Sequence, residues 1–131
     1  MISTYRVWCE WEEGNKQCKK MVGPESNFLL SQTGQLMAHG PISFDSNIRR
    51  KYTVLIPEFY TGINDRKSEK IYEGDIVKGM NSLMVGNVIG QVIWDIQSAC
   101  WGIENGWSLG NYKWFEVIGN IHENSEILTL P

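Results

Sequence analysis

Short segments with an apolar residue at every second position, separated by turn residues, recur along this 131-residue chain. In "TYRVWCEWEE", one face of an extended chain would carry Tyr5, Val7, Cys9 and Trp11. Alternation with a period of two is typical of a β-strand. No segment shows a convincing helical period over three turns. The pattern therefore predicts a mainly β protein with little helix.

The first half of the chain contains a hairpin signal and a longer strand signal. "EEGNK" is a turn, because Gly14 and Asn15 tolerate positive φ, and "CKKMV" predicts the returning strand. Short pieces such as "FLL" and "QLMAH" are candidates to pair between the loop signals of residues 23–50. "KYTVLIPEFYTG" is rich in β-branched and aromatic residues and predicts a strand, in which Pro57 marks a sheet edge or a break.

The second half predicts four further strands, in "DIVKG", "GNVIGQVIWDI", "ACWGIENGW" and "WFEVIGNI". Short strands separated by turns are typical of a small barrel or a sandwich. The tail "HENSEILTLP" predicts a short helical turn with Asn124 as its N-cap. The polar stretch "TGINDRKSEK" is the best boundary, so we expect a β-rich N-terminal section over residues 1–66 and a C-terminal section over residues 67–131 within one compact unit.

The distribution of charge disfavours one class of partner. The net charge is −3, and residues 1–66 contain 8 Lys/Arg and 7 Asp/Glu (+1), whereas residues 67–131 contain 4 and 8 (−4). Neither half has the strongly basic balance that non-specific binding to phosphates requires. Nucleic acid is therefore a partner that the sequence allows but does not favour.

Motifs for a cofactor, a metal or a membrane are not found in the sequence. Cys9, Cys18 and Cys100 are an odd, widely spaced set, and they predict neither a disulfide framework nor, with His39 and His122, a zinc site. There is no phosphate-binding or dinucleotide-binding glycine motif. The start of the chain does not resemble a signal peptide, and no apolar stretch is long enough to span a membrane. We expect a reduced, cytoplasmic protein without a cofactor.

The stretch "EKIYEGDIVKG" places two carboxylates, Glu73 and Asp75, on either side of Gly74. Residues i and i+2 of an extended chain point the same way, so the pair suggests a cation site or an acid–base pair. Two acids supply too few oxygens for a hard cation. The favoured interpretation is a structural turn, in which Gly74 sets the turn and Asp75 binds nearby backbone N–H groups.

The aromatic content suggests a binding surface. The chain has six tryptophans, and most of them are expected to fill the core of a small domain. Trp107 and Trp8 are the two that we expect to be exposed and to contact a partner. The basic run Arg49–Lys51 is expected to be a solvated loop, and the alternative is that Arg49 and Arg50 contact a phosphate or an acidic partner.

Three blocks of the sequence resemble the signature blocks of the YopX family of phage and prophage proteins. They are "YRVWCEW", "EFYTGINDRKSEKIYEGDIVK" and "FEVIGNIHENSEIL", and their order and spacing cover nearly the whole chain. Two positions depart from the family pattern, Cys9 in place of an acid and Ser68 in place of a glycine. The resemblance implies a mainly β fold with a small SH3-like or pseudobarrel section at the C-terminus, and a phage or prophage origin. It implies no activity and no catalytic residues.

Three functional hypotheses follow. The first is a non-enzymatic accessory module that binds a host or phage protein in the host cytoplasm, supported by the many aromatic residues and the lack of a catalytic set. The second is a single-stranded nucleic-acid-binding protein that uses aromatic rings for stacking. The third is an enzyme with an unrecognised site at Glu73 and Asp75. Because small β proteins often close exposed edges by self-association, a homo-oligomer is a further hypothesis.

Overall fold

The computed structural model describes residues 5–23, 28–30, 36–38, 52–81, 87–104, 106 and 108–129. The protein is mainly β, as predicted, and includes a curled, half-barrel sheet. Within the described residues the helical structure consists of two short 3-10 turns, Leu109–Asn111 and Ser125–Thr129. The strands are β1 (Tyr5–Glu13), β2 (Lys16–Val22), β3 (Phe28–Leu30), β4 (Leu36–Ala38), β5 (Tyr52–Asn64), β6 (Lys70–Tyr72), β7 (Asp75–Asn81), β8 (Asn87–Asp95), β9 (Cys100–Ile103) and β10 (Tyr112–Asn120).

The chain divides into two compact units, Met1–Glu58 and Phe59–Pro131. The sequence-based boundary between residues 66 and 67 lies inside the second unit, because the polar loop after β5 belongs to that unit. Strand β5 continues through Pro57 to Asn64, so the proline does not break it. The loop after β5 is short and is followed at once by β6.

The first unit contains the predicted hairpin. Strands β1 and β2 pair antiparallel from Val7↔Val22 to Glu13↔Lys16, and Gly14 in the turn has a φ of +64°. Strand β1 lies between β2 and β5, and β3 and β4 form a separate antiparallel pair as the sequence suggested. Among the described residues of this unit, Val7, Cys9 and Trp11 form a buried cluster, packed against Tyr5, Cys18, Val22 and Leu55.

The second unit contains the four strands predicted for the C-terminal half. Strands β10, β7, β8 and β9 form an antiparallel sheet in that order, and the last part of β5 pairs with β6. The core residues are Ile71, Val77, Val92, Ile103, Leu109 and Phe115, with Trp101, Tyr112 and Val117 packed against them. The aromatic side chains thus enlarge a core that would otherwise be small for a unit of this size.

The turn between β6 and β7 is tied to its neighbours through backbone and side-chain hydrogen bonds. Gly74 has a φ of +86°, its N–H donates to the Val92 carbonyl at 2.9 Å, and its carbonyl accepts from the Ile121 N–H at 2.9 Å. Asp75 is 1% exposed, and its Oδ2 accepts from the Tyr72 N–H at 2.8 Å. These two residues therefore have structural roles, in agreement with the favoured interpretation of the sequence.

The loop between β5 and β6 is fastened along β10 by the buried Asp65. Its Oδ1 accepts from the N–H groups of Lys67 and Glu69, both at 2.8 Å, and its Oδ2 accepts from the Val117 N–H at 3.0 Å. Burial raises the pKa of Asp65, but the three backbone hydrogen bonds together lower it more, so the pKa lies below its ordinary value. Because β10 is an edge strand of the sheet, the loop also covers backbone groups at that edge.

Candidate functional site

The turn that joins β8 and β9, together with the strand residues beside it, carries large apolar side chains that are exposed. Trp94 is 47% exposed and Ile96, in the turn that follows, is 84% exposed. The Trp94 ring meets the Trp101 ring edge-on, with 5.2 Å between the centroids and an interplanar angle of 73°. We refer to Trp94, Ile96 and Trp101 as the hairpin patch. Edge-to-face rings of this kind stabilise each other beyond the area that they bury.

The hairpin register explains why one ring of this pair is exposed. Trp94 and Trp101 are direct cross-strand partners, and Trp101 packs against the core of the second unit. Strand β8 places Val92, two residues before Trp94, in that same core. Because β8 ends at Asp95, Trp94 is the last residue on the inward face and lies where the core meets solvent. The rigid scaffold thus presents one indole ring to solvent.

The turn that carries Ile96 is held by its own hydrogen bonds. Asp95 Oδ1 accepts from the N–H of Gln97 at 3.0 Å and from the N–H of Ser98 at 3.4 Å. Ala99, the last turn residue, adopts a φ of +51°. An aspartate that binds backbone groups two and three residues ahead is a common way to fix a tight turn. Ile96 is therefore held on an ordered turn despite its exposure.

The same hairpin also contributes to a cavity of about 470 Å³. Its walls are formed by Ile93, Asp95, Ser98, Cys100, Gly102, Ile103, Glu104, Ser108 and Asn111. The lining combines carboxylates, hydroxyls and an amide with the apolar surfaces of Ile93 and Ile103. Ligand sites in proteins commonly have this size and this mixture of apolar walls with a few polar groups. None of the described residues that line the cavity is a lysine or an arginine.

Trp8 is a candidate for which the sequence-based prediction of exposure is wrong. Its side chain is 3% exposed, and its Nε1–H donates to Glu10 Oε2 at 2.8 Å. On the same face of β1, Arg6 Nε lies 3.1 Å from Oε1 of the buried Glu58. Val7, on the opposite face, is fully buried as well. Strand β1 is thus buried on both faces, which a period-two pattern with charged residues on one side does not reveal.

The other predicted contact residues, Trp107, Arg49 and Arg50, lie outside the described residues. The sequence reasoning did not single out Trp94 or Ile96 as exposed. The signal available for Trp94 was its membership of the tryptophan-rich segment after residue 93. Ile96 gave a weaker signal, as a lone isoleucine directly after the aspartate that ends a strand.

The pair Glu73 and Asp75 does not form a site with further ligands in the described part of the chain. There, no group of three or more His, Cys, Asp or Glu side chains is arranged to hold a metal ion. Asp75 is buried and uses Oδ2 in the turn itself.

The three cysteines are free thiols. Burial raises the pKa of Cys9 to about 11, and the nearby charge of Lys20 opposes this shift.

Two aromatic rings of the second unit lie beneath cationic side chains. The Arg66 guanidinium is 4.4 Å from the centroid of Trp114, and Lys70 Nζ is 5.4 Å from the centroid of Tyr60. These distances are typical of cation–π contacts. The rings of Trp114 and Tyr60 are thus engaged with cations of the same unit, in contrast to Trp94.

The fold and the site define a small, mainly β protein whose surface feature is a hairpin with exposed aromatic and aliphatic side chains. The family described as YopX protein matches residues 4–129, so the chain belongs to the YopX family. No curated protein matches the chain significantly. Within the described residues, no helix has the length and apolar character needed to cross a membrane.

Proposed function

We propose that this protein is a non-enzymatic accessory module of a phage or prophage that binds another protein in the host cytoplasm. The observation that carries the proposal is the hairpin patch, in which Trp94 and Ile96 are exposed on an ordered turn. The phage or prophage origin, and with it the location in the host cytoplasm, rest on the resemblance to the YopX family.

The geometry of the patch favours a protein partner. Tryptophan is enriched among the residues that contribute most to protein–protein binding, and such residues act as anchors that enter a pocket of the partner. The side chain of Ile96 is 84% exposed in the free protein. Burial of this apolar surface in a complex would therefore contribute to the free energy of binding. A pre-ordered turn also reduces the entropy that is lost on binding.

The charge around the patch indicates what the partner offers in return. Residues 67–131 have a charge of −4, from 4 Lys/Arg and 8 Asp/Glu. Asp95 lies between Trp94 and Ile96 in sequence, and Glu104 lies in the segment that follows β9. Asp95 alternates with Trp94 along β8, so the acidic and the apolar side chains lie on opposite faces of the strand. A hairpin with both kinds of side chain is complementary to a basic protein surface with an apolar pocket. We therefore propose that the partner is basic where it contacts the hairpin.

The proposal is tested by capture of partners from a host lysate on immobilised protein. We expect a partner that is retained by the native chain and lost when Trp94→Ala and Ile96→Ser are introduced. Ile63→Ser is the matched control, since Ile63 is also exposed (38%) but lies in β5. The captured protein is then purified and titrated calorimetrically against the same three variants.

Direct binding that weakens with the two patch variants and not with the control supports the proposal. A partner that binds all three variants equally, or a capture that cannot be reproduced with purified proteins, contradicts it. Light scattering of the same samples tests the homo-oligomer hypothesis. A dimer that dissociates when Ile96 is changed would identify a second copy of the chain as the occupant and would contradict the hetero-partner.

The alternative function is binding of single-stranded nucleic acid, for which aromatic rings beside cations are the typical surface. The pairs Arg66–Trp114 and Lys70–Tyr60 are the observation in its favour. The acidic balance of the second half opposes it. A salt-dependent change in tryptophan fluorescence on adding an oligonucleotide, lost with Trp114→Ala, would support this alternative. An unchanged signal at low salt would exclude it.

A further inference from the structure

The cavity beside the hairpin has two chemically different parts. Ile93 and Ile103 supply apolar wall, and Gly102 lies directly across from Ile93 in the register of the hairpin. Asp95 and Glu104 supply carboxylates, with hydroxyls of Ser98 and Ser108 in the same lining. Long basic side chains have the same division, since an aliphatic stem packs on apolar surface while the charged end remains hydrated or paired.

The polar groups of the lining are suited to accept hydrogen bonds from a cation. Asp95 uses Oδ1 for the turn, and within the described residues its Oδ2 accepts no hydrogen bond. The side chain of Glu104 is exposed, and its backbone N–H is satisfied separately by the Gln91 carbonyl at 2.9 Å. Ser108 Oγ already accepts from Asn111 Nδ2 at 3.1 Å. Among the described lining residues, Asp95 and Glu104 thus provide free carboxylate oxygens at the cavity.

We infer that this cavity receives an arginine or lysine side chain of the bound protein. The apolar wall contacts the stem, and Asp95 and Glu104 pair with the guanidinium or ammonium group. The inference deepens the proposed function and rests on it, because it identifies the kind of residue that the partner presents to the face of the hairpin opposite Trp94 and Trp101. The hairpin patch supplies affinity through apolar contacts, and the cavity supplies selectivity for a basic residue.

The probe is a heptapeptide with one central arginine flanked by glycine and serine, compared with the same peptide carrying citrulline. Citrulline has nearly the same shape without the charge. Amide chemical shifts of the labelled protein are followed during titration at low salt. We expect shifts at the cavity, for example at Ser98, Cys100 and Glu104, with the arginine peptide, and much smaller shifts with the citrulline peptide.

The variant is the double substitution Asp95→Asn and Glu104→Gln. Asn keeps an Oδ1 that accepts from the turn, so the hairpin is expected to remain folded, which the amide spectrum verifies. The control is Glu69→Gln with Glu126→Gln, which removes the same charge from two exposed positions outside the cavity. We expect the dissociation constant to rise about tenfold in the cavity variant, as for two partly exposed ion pairs, and to change less than twofold in the control.

Cys100 gives an independent readout, because its thiol lines the cavity and is free. The arginine peptide is expected to slow alkylation of Cys100 by iodoacetamide and to leave alkylation of Cys18 in the first unit unchanged.

The inference would be overturned by equal binding of the arginine and citrulline peptides, by equal effects of the two double variants, or by chemical-shift changes away from the cavity. If the cavity test fails while Trp94→Ala still abolishes capture of the partner, the proposed function stands and the inference does not. If the peptide binds but no partner is captured, the proposed function is contradicted, and what remains supported is the preference of the cavity for a basic side chain.

Discussion

The buried carboxylate of Asp65 joins parts of the chain that are far apart in sequence, and replacing it is a direct test of how the second unit is held together. Its Oδ2 accepts from the Val117 N–H, 52 residues away, and its Oδ1 accepts from two N–H groups within its own loop. Asp65→Asn is the sharpest change. Asparagine keeps an oxygen for the loop but presents an NH₂ group, which is a donor, to the Val117 N–H.

The size of the effect follows from these hydrogen bonds. A hydrogen bond to a charged group contributes about 1.5–3 kcal/mol, and leaving a shielded donor without an acceptor costs about 1–3 kcal/mol. The two loop N–H groups retain a neutral acceptor, so only part of their contribution is lost. We therefore expect Asp65→Asn to lower the free energy of unfolding at pH 7 by about 2 kcal/mol.

The pH dependence has a definite sign. The pKa of Asp65 in the folded protein lies below its ordinary value, which is about 3.9 in an unfolded chain. The carboxylate therefore contributes stability that is fully present above a pH of about 4 and is lost as the pH falls through the lowered folded-state pKa. The difference in stability between the native chain and Asp65→Asn should be largest near neutral pH and should shrink in acid.

The assay is urea unfolding followed by tryptophan fluorescence at pH 7, 5 and 3. Glu126→Gln is the control, since it removes the same charge at an exposed position of the closing 3-10 turn. The reasoning is refuted if Asp65→Asn and the control differ by less than about 0.5 kcal/mol at pH 7, a change typical of surface substitutions. A difference that stays constant from pH 7 to pH 3 would refute the electrostatic part alone.

Two further predictions concern packing and thiol chemistry. Gly90→Ala should destabilise the protein by about 1–3 kcal/mol, because a Cβ there would lie 2.2 Å from Cγ2 of Ile103 in the core. Urea unfolding measures the loss of stability, and an unchanged unfolding midpoint would contradict the prediction. Cys9 should react with iodoacetamide at pH 8 much more slowly than Cys18, because burial raises the pKa of Cys9 to about 11 and keeps its thiol neutral. Peptide mapping by mass spectrometry measures the alkylation rates of both cysteines, and equal rates would contradict the burial of Cys9.

The strands were predictable because their signals are local. Alternating residues and glycine turns located β1, β2 and β7 to β10, and the register of the first hairpin follows from the turn at Gly14 and Asn15. The SH3-like detail of the second half stays a prediction. The pattern of β1 also contained the charged residues Arg6 and Glu10, which suggested a solvated face.

The features that sequence reasoning missed depend on contacts between distant segments. Trp8 is buried although its neighbours on the same face of β1 are charged, because Glu10 accepts its indole N–H and Arg6 pairs with Glu58. The role of Asp65 depends on Val117, which no local pattern connects to it. Exposure of Trp94 depends on where β8 ends relative to the core. Period-two patterns describe a strand's faces but not what covers them.

The residues by which the chain resembles its family are largely occupied in maintaining the fold. Gly74 bridges β8 and the segment after β10, and Asp75 closes its own turn. In the closing block, Asn120 Oδ1 accepts from the N–H groups of His122 and Glu123, at 3.0 and 2.9 Å. The hairpin patch and the cavity, by contrast, fall between the second and third signature blocks. The family blocks thus account for the scaffold, whereas the proposed partner contacts involve Trp94, Ile96 and the cavity lining, whose exposed side chains can change without disturbing those turns.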